Sequence, residues 1–306
     1  MKSRYACLAL LVCGAAAQAL EVDPYIAWMY QIDDSSTAIN EFINQTARET
    51  VAEANGKPRK YDSCEAVTIR IFRRNHTSIV TSKRLLRHVR NNPDIDSFGQ
   101  SHFTEVHSSM YRYVPQLYFS SLADTFNIDG IYMSDDKLAH MFGFGRRYYT
   151  KYLKGRKNGL DTEAAMLKAI RYGVRHEKGV VGKMIDGIFS FADLEANFQG
   201  MQMARSFCEG DNPNLVGSPG NWEWGRDTDI SEFVLPTFDE GYLPNNFIRI
   251  YRPIIRGRLK RYCNISKLPF VARRLADYRL RDRITLSRTY VLERLTGKEF
   301  KLPCDI

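Results

Sequence analysis

The sequence SFADLEANFQGMQMARSFC, residues 190–208, predicts a long helix with two different faces, around which the other helices are expected to pack. Ser190 is a preferred N-cap residue, and Asp193 stands at the partner position of a capping box. Residues three or four apart share a helix face. One face therefore carries Asp193, Asn197, Gly200 and Ala204, and another carries Leu194, Phe198 and Met201. We expect the polar and small face to pack against a second helix.

That second helix is predicted from Ser134, its N-cap, to about Lys154. It contains the sequence MFGFG, residues 141–145. Glycine inside a helix costs about 1 kcal/mol relative to alanine, so Gly143 and Gly145 indicate that another backbone packs closely there.

The same helix carries DKLAH at residues 136–140, in which Asp136 and His140 are four apart and project side by side. A carboxylate beside an imidazole can bind a metal ion or support proton transfer. A structural ion pair has the same spacing, and that alternative stays open.

A third helix is expected from Asp161-Thr162, and it ends at RHEKG, residues 175–179, which places Glu177 near the other two. We predict a polar pocket between the three helices. Its catalytic residues or divalent-metal ligands would be Asp136, His140 and Glu177, and its substrate-binding groups would be Asp193, Asn197 and Lys137. The competing hypothesis is a buried polar network that only fixes helix packing.

The joint pattern DKxxH at 136–140, Glu177, and SxxDxxANxxG within 190–200 resembles the YfiM-like family of small bacterial envelope lipoproteins. Its start is also similar to the DKxxHF motif of VanZ-like membrane proteins. The resemblance covers about residues 125–208. It implies a bacterial cell-envelope setting and no particular reaction.

Residues 1–19 are typical of a secretory signal, with Lys2 and Arg4 before a short apolar stretch and a small-x-small site ending at Ala19. No later stretch approaches the ~20 apolar residues of a membrane-spanning helix. We therefore expect an exported protein of the bacterial periplasm or envelope, or a secreted one, without a transmembrane anchor. Four cysteines would remain after cleavage and favour two disulfides, with three connectivities open: Cys64, Cys208, Cys263 and Cys304.

Charge is unevenly divided along the chain of 306 residues, whose net charge is +9. Residues 249–301 hold 16 Lys/Arg and 4 Asp/Glu, whereas residues 20–248 are slightly acidic. The basic segment predicts contact with an anionic envelope polymer or a membrane surface. The alternative is that its arginines cover acidic parts of the same protein. Nucleic acid is the less favoured partner.

Ordinary globular composition, with 44% hydrophobic and 26% charged residues, excludes a disordered chain. We expect a mainly α, single irregular helical domain with long ordered loops and room for one short strand pair. Its parts are residues 20–125 (helical), 126–210 (the motif-bearing core) and 211–306 (a loop and basic helices).

Four local expectations are open to test. Residues 65–74 alternate like a strand in helical surroundings, and residues 108–127 predict a buried helix. Residues 211–246 predict a long ordered loop, in which Trp222 and Trp224 with Asp239-Glu240 are either a carbohydrate groove or a packing cluster. Two final helices are expected near 246–262 and 267–296.

The sequence does not establish whether the protein is an enzyme. An exported envelope protein with a metal- or ligand-binding pocket is the first hypothesis. A metal-dependent or acid/base hydrolase acting on an envelope substrate is the second, and a secreted nucleic-acid-binding protein is the third.

Overall fold

The computed structural model describes residues 22–76, 84–99, 109–111, 122–179 and 187–295, and the fold is mainly α-helical, as predicted. The proposed signal segment 1–19 lies outside these residues. The helices are α1 (Pro24–Ala27), α2 (Ser36–Asn55), α3 (Cys64–Asn75), α4 (Arg84–Asn91), α5 (Asp135–Ala139), α6 (Gly145–Lys157), α7 (Thr162–Lys178), α8 (Phe191–Ser206), α9 (Arg252–Leu259), α10 (Pro269–Arg281) and α11 (Leu286–Leu295). A π-helical turn, His140–Phe144, joins α5 to α6. Short 3-10 helices span Ile230–Phe233, Pro236–Phe238, Lys260–Tyr262 and Ile265–Lys267.

The strands are short and antiparallel. One sheet has the order β1 (Ser97–Phe98), β2 (Thr125–Ile128), β3 (Ile131–Ser134), and Thr125 faces Ser134 in its register. The two-stranded pairs are β4 (Ile188–Phe189) with β7 (Asn246–Phe247), and β5 (Leu215–Ser218) with β6 (Asn221–Trp224). The first sheet feeds directly into α5, and β4 leads into α8, so short strands position both motif-bearing helices.

Helix α8 lies at the centre of the described core, because every residue from Phe191 to Met201 is buried. A helix that is buried all round needs partners for its polar side chains. The carboxylate of Glu195, for instance, accepts hydrogen bonds from Gln199 (2.8 Å) and from the Thr285 hydroxyl (2.7 Å). The hydrophobic core continues from Tyr25 in the first part of the chain to Leu295 in the last.

Helix α8 packs closely against the backbone of the α5–α6 segment, which confirms the prediction for Gly145, whereas a Cβ on Gly143 would meet the side chain of His76. A Cβ atom on Gly145 would lie 2.8 Å from the Cα of Gly200. A Cβ on Gly200 would collide with the backbone carbonyl of Met141. At the crossing the α-helix becomes the π turn, in which the Gly145 N–H donates to the His140 carbonyl, five residues earlier.

Several local expectations need correction. Residues 65–74 are helical within α3, because Ser63 caps the helix and the apolar residues Val67, Ile71 and Phe72 share its buried face. The helix expected over 108–127 is wrong at residues 125–127, where the chain pairs with β3 as strand β2. Residues 112–121 of that stretch lie outside the described residues.

Two predictions for the C-terminal third of the chain lack elements that the structure contains. The loop expected at 211–246 contains the β5–β6 hairpin and two 3-10 helices. The helix expected near 267–296 is two helices, because α10 ends at Arg281 and α11 begins at Leu286.

A disulfide joins Cys64, the first residue of α3, to Cys208, just beyond α8. This selects one connectivity from those left open by the sequence. Cys263 is disulfide-bonded as well, and Cys304 lies outside the described residues. Across the part of the chain that the structure describes, we find no helix long and apolar enough to cross a membrane.

Candidate metal centre

Three side chains from two helices form a group that could hold a metal ion, which we call the Asp–His–Asp cluster: Asp136, His140 and Asp193. One ligand atom from each lies within 4.8 Å of the others. His140 Nε2 is 3.6 Å from Asp136 Oδ2 and 3.3 Å from Asp193 Oδ2. The α5–π segment supplies the first two residues and the first turn of α8 supplies the third.

The orientation of the His140 ring is set by Asn197, one turn beyond Asp193 on α8. Nδ1 of His140 lies 3.0 Å from the side-chain oxygen of Asn197. Since an amide oxygen only accepts, Nδ1–H is the donor. The other ring nitrogen, Nε2, faces both carboxylates.

The spacing around Nε2 fits ligands of one ion better than direct hydrogen bonds. Two ligands bound at 2.0–2.1 Å in tetrahedral geometry lie about 3.4 Å apart. Charge-assisted N–H···O contacts are shorter, at about 2.7–2.9 Å. The observed 3.3 and 3.6 Å match the first arrangement.

The buried ammonium of Lys137 lies on the interior side of the cluster. This ammonium lies 3.2 Å from Asp136 Oδ2 and 2.6 Å from Glu240 Oε1, and it also contacts Asp193 Oδ1. Asp193 therefore turns one oxygen to Lys137 and the other to His140. Burial alone would raise the pKa of Asp193, but the positive charge of His140 and Lys137 holds this pKa below its ordinary value.

Glu177 lies beside the cluster and does not join the group of ligand atoms. Its Oε1 accepts the Ser190 backbone N–H at 2.9 Å, while the Ser190 hydroxyl accepts the N–H of Asp193 at 3.1 Å. Glu177 thus takes the capping-box position expected for Asp193 and leaves that carboxylate to Lys137 and His140. Burial and the negative charge of Asp193 raise the pKa of Glu177 well above its usual range.

The cluster has one accessible side and one closed side. The side chains of Asp136, His140 and Asp193 retain 19%, 12% and 11% of their exposure, whereas Lys137 and Glu240 retain 3% and 1%. An ion can approach from the Asp136 and His140 side. The mixed imidazole and carboxylate donors suit Zn²⁺ or Mn²⁺.

The sequence leaves open whether Glu240 lines a carbohydrate groove with Trp222 and Trp224 or belongs to a packing cluster. Trp222 is buried, and its Nε1 donates to the Tyr61 carbonyl at 3.1 Å. The Glu240 carboxyl instead meets Lys137, and burial raises its pKa. The packing alternative therefore applies to the tryptophans, and Glu240 belongs beside the cluster.

Comparisons with protein-family models, with curated proteins and with solved structures found no match for this chain.

Proposed function

We propose that this chain is an exported envelope protein whose Asp–His–Asp cluster binds a divalent metal ion. The observation that carries the proposal is the placement of His140 Nε2, which lies 3.3 and 3.6 Å from two carboxylates while Nδ1 is held by Asn197. Histidine ligands commonly donate their second N–H to such a partner, which fixes the tautomer that binds metal.

Isothermal titration of the purified mature protein with Zn²⁺ and Mn²⁺ tests metal binding. We expect one ion per chain, and a loss of at least tenfold in affinity in His140→Ala and Asp193→Asn, because each removes one of three ligands. His88→Ala is the matched control, since His88 is a part-buried histidine that stacks on Phe42 far along the sequence from the cluster.

Two results contradict metal binding. One is the absence of a heat signal with either ion in the folded wild-type protein. The other is equal affinity in the wild type and His140→Ala. In both cases the polar residues would act as a packing network.

A metal-dependent hydrolase is the second candidate function, favoured by the ligand count. Catalytic zinc sites use three protein ligands and keep a further position for water or substrate. The cluster has three such ligands and an accessible side. Release of soluble fragments from purified envelope material by the wild type, and its absence in His140→Ala, is the expected result. Equal release by both proteins contradicts the hydrolase.

The envelope setting rests on the resemblance to the YfiM-like pattern and on the signal-like residues 1–19. A disulfide such as Cys64–Cys208 is typical of an oxidising compartment. N-terminal sequencing of the protein recovered from a periplasmic extract should begin at Leu20. A protein that stays in the cytoplasm with Met1 intact contradicts export.

The basic C-terminal segment is proposed to contact an anionic membrane surface. Internal partners engage several of its arginines: Arg258 bonds the Ser109 carbonyl, Arg281 pairs with Asp129, and Arg288 pairs with Asp282. The last turn of α10 and the connection to α11 instead expose Leu280 (86%) and Ile284 (75%), respectively.

Exposed Arg279 and Arg283 flank these two apolar side chains. Apolar residues beside arginines are typical of contacts with anionic lipid interfaces.

Sedimentation with phosphatidylglycerol vesicles tests this contact. Binding should fall steeply as salt rises and should weaken about tenfold in Leu280→Ser/Ile284→Ser. Salt-independent binding, or stronger binding to DNA than to vesicles, contradicts the membrane contact.

A further inference from the structure

An aromatic contact path leads outward from the Asp–His–Asp cluster to a group of positive side chains. The His140 ring stacks on Phe144, with centroids 5.3 Å apart and planes 13° apart. On Phe144 lie the Arg147 guanidinium, 4.6 Å from the ring centroid, and the His176 ring, 6.2 Å between centroids. The Arg147 guanidinium therefore stands one aromatic ring away from the proposed metal ligand.

The path continues to a second cation and a second aromatic ring. His176 contacts Tyr172 with centroids 4.3 Å apart, and the Lys151 ammonium lies 4.9 Å from the Tyr172 ring centroid. Burial lowers the pKa of His176, and the positive charges of Arg147, Lys151 and Arg175 lower this pKa further. Arg147 and Lys151 therefore contact the two aromatic rings that flank His176, and Arg175 precedes His176 on α7. We call Arg147, Lys151, Arg175 and His176 the basic rim.

The cations of the basic rim have no carboxylate within ion-pair distance among the residues that the structure describes. Nearby positive charge adds to the group, because Arg73 and Arg147 lower the pKa of Arg146 after burial has done so. Elsewhere in the described chain, arginines such as Arg70, Arg84 and Arg205 pair with glutamates. Like charges brought together without such partners repel one another, and an anionic ligand relieves that repulsion.

We propose that the basic rim binds the phosphate group of a ligand that also reaches the Asp–His–Asp cluster. The contact of this ligand with the Asp–His–Asp cluster rests on the proposed function. The contact of its phosphate with the basic rim does not depend on metal binding. Arginine donates paired N–H groups in a geometry that suits phosphate oxygens, and lysine adds a mobile charge. Metal ions and cations often hold one phosphoryl group together.

The phosphate has two chemical sources, a lipid headgroup or a soluble phosphate ester. Both present the same anion to the rim, but only the first comes in a bilayer. Inorganic pyrophosphate and glycerol phosphate are the soluble probes, and phosphatidylglycerol vesicles are the lipid probe.

Titration of the wild-type protein and of Arg147→Gln/Lys151→Gln/Arg175→Gln tests the rim. We expect the variant to bind the preferred probe at least tenfold more weakly and with a smaller salt dependence. The matched control, Arg59→Gln/Lys157→Gln/Lys267→Gln, removes the same charge from three exposed positions and should keep wild-type affinity. An unchanged circular dichroism spectrum and melting temperature show that the rim variant is folded.

These measurements test phosphate binding by the basic rim and metal binding by the Asp–His–Asp cluster independently. If the wild type binds no phosphate probe, or if the control variant loses as much affinity as the rim variant, the rim proposal is overturned. If phosphate binds in metal-free buffer and no divalent ion binds, the rim proposal stands and the metal proposal is contradicted.

Discussion

Lys137 is the residue on which the electrostatic balance of the site depends. Its ammonium is buried and contacts the carboxylates of Asp136, Asp193 and Glu240. Removing one partner of a buried charge group leaves the others uncompensated, which typically costs 3–5 kcal/mol. The same removal makes the site more negative and so more attractive to a cation.

Lys137→Met should therefore lower the free energy of unfolding of the metal-free protein by about 3–5 kcal/mol. It should also raise the affinity for Zn²⁺ about tenfold, because an ammonium no longer competes for Asp136 and Asp193. Denaturant unfolding and calorimetry measure the two effects. Lys154→Met, at an exposed position, should change stability by less than about 0.5 kcal/mol. Unchanged stability of Lys137→Met would show that the ammonium does not balance these carboxylates.

Asn197 positions the imidazole of His140, the proposed metal ligand. Its side-chain oxygen fixes Nδ1–H, so Asn197→Leu frees the ring to rotate or change tautomer. Loss of such a partner typically lowers metal affinity 10- to 100-fold. Calorimetry with Zn²⁺ checks this, and unchanged affinity would mean that Asn197 does not orient the ligand.

At the scale of elements, α8 can cross the π turn closely because Gly200 has no side chain. A Cβ on Gly200 meets the carbonyl of Met141, a backbone group that cannot move aside alone. Gly200→Ala should lower the free energy of unfolding by about 1–3 kcal/mol despite the better helix propensity of alanine.

Gly257→Ala is the matched control for that substitution. Gly257 lies within α9, and a Cβ there meets nothing within 4 Å. Alanine should stabilise this position by up to about 1 kcal/mol. Thermal unfolding of both variants separates the two effects, and a stable Gly200→Ala protein would contradict the close crossing.

The sequence predicted the α5–α6 and α8 helices, and their contact, because N-caps and glycine spacing are local signals. The structure confirmed that Ser190 caps α8 and that Asp161 caps α7. The π turn could not be predicted, since it depends on the tertiary approach of Gly200 to Met141. Glu240 was missed as a partner of Lys137 because it lies in an irregular segment, where no helical period reports which side a residue faces.

At the scale of the whole molecule, the Cys64–Cys208 disulfide closes a loop with a sequence separation of 144 residues. A loop of this length is expected to contribute about 4–5 kcal/mol, largely by restricting the unfolded chain. Cys64→Ser/Cys208→Ser should lose about that free energy of unfolding in denaturant titration. A loss below about 1 kcal/mol would show that the unfolded chain is already compact.

Buried carboxyls predict how stability depends on pH. Burial raises the pKa values of Asp23, Asp135 and Asp239 from 3.8 to about 6. The folded protein therefore holds more protons than the unfolded chain between these two values, and its stability falls as pH rises from about 4 to 6. Each such rise in pKa corresponds to about 3 kcal/mol.

We expect the free energy of unfolding to be greater at pH 4.5 than at pH 7.5. Glu53 has the opposite effect at lower pH. Burial alone would raise its pKa, but Arg70 holds this pKa at about 2. The contribution of Glu53 to the free energy of unfolding is therefore lost as pH falls below about 4.5. Urea unfolding across pH 3–8 measures the curve. Stability that climbs steadily from pH 4 to 7 would contradict the raised pKa values.

An anomalous difference map from crystals grown with Zn²⁺ shows whether the Asp–His–Asp cluster binds the ion. We expect one strong peak about 2.1 Å from His140 Nε2 and within ligand distance of Asp136 and Asp193 carboxylate oxygens. We expect no peak there in His140→Ala crystals grown in the same way. Wild-type crystals without a peak at the cluster, or with Zn²⁺ bound only elsewhere, would contradict metal binding by the cluster.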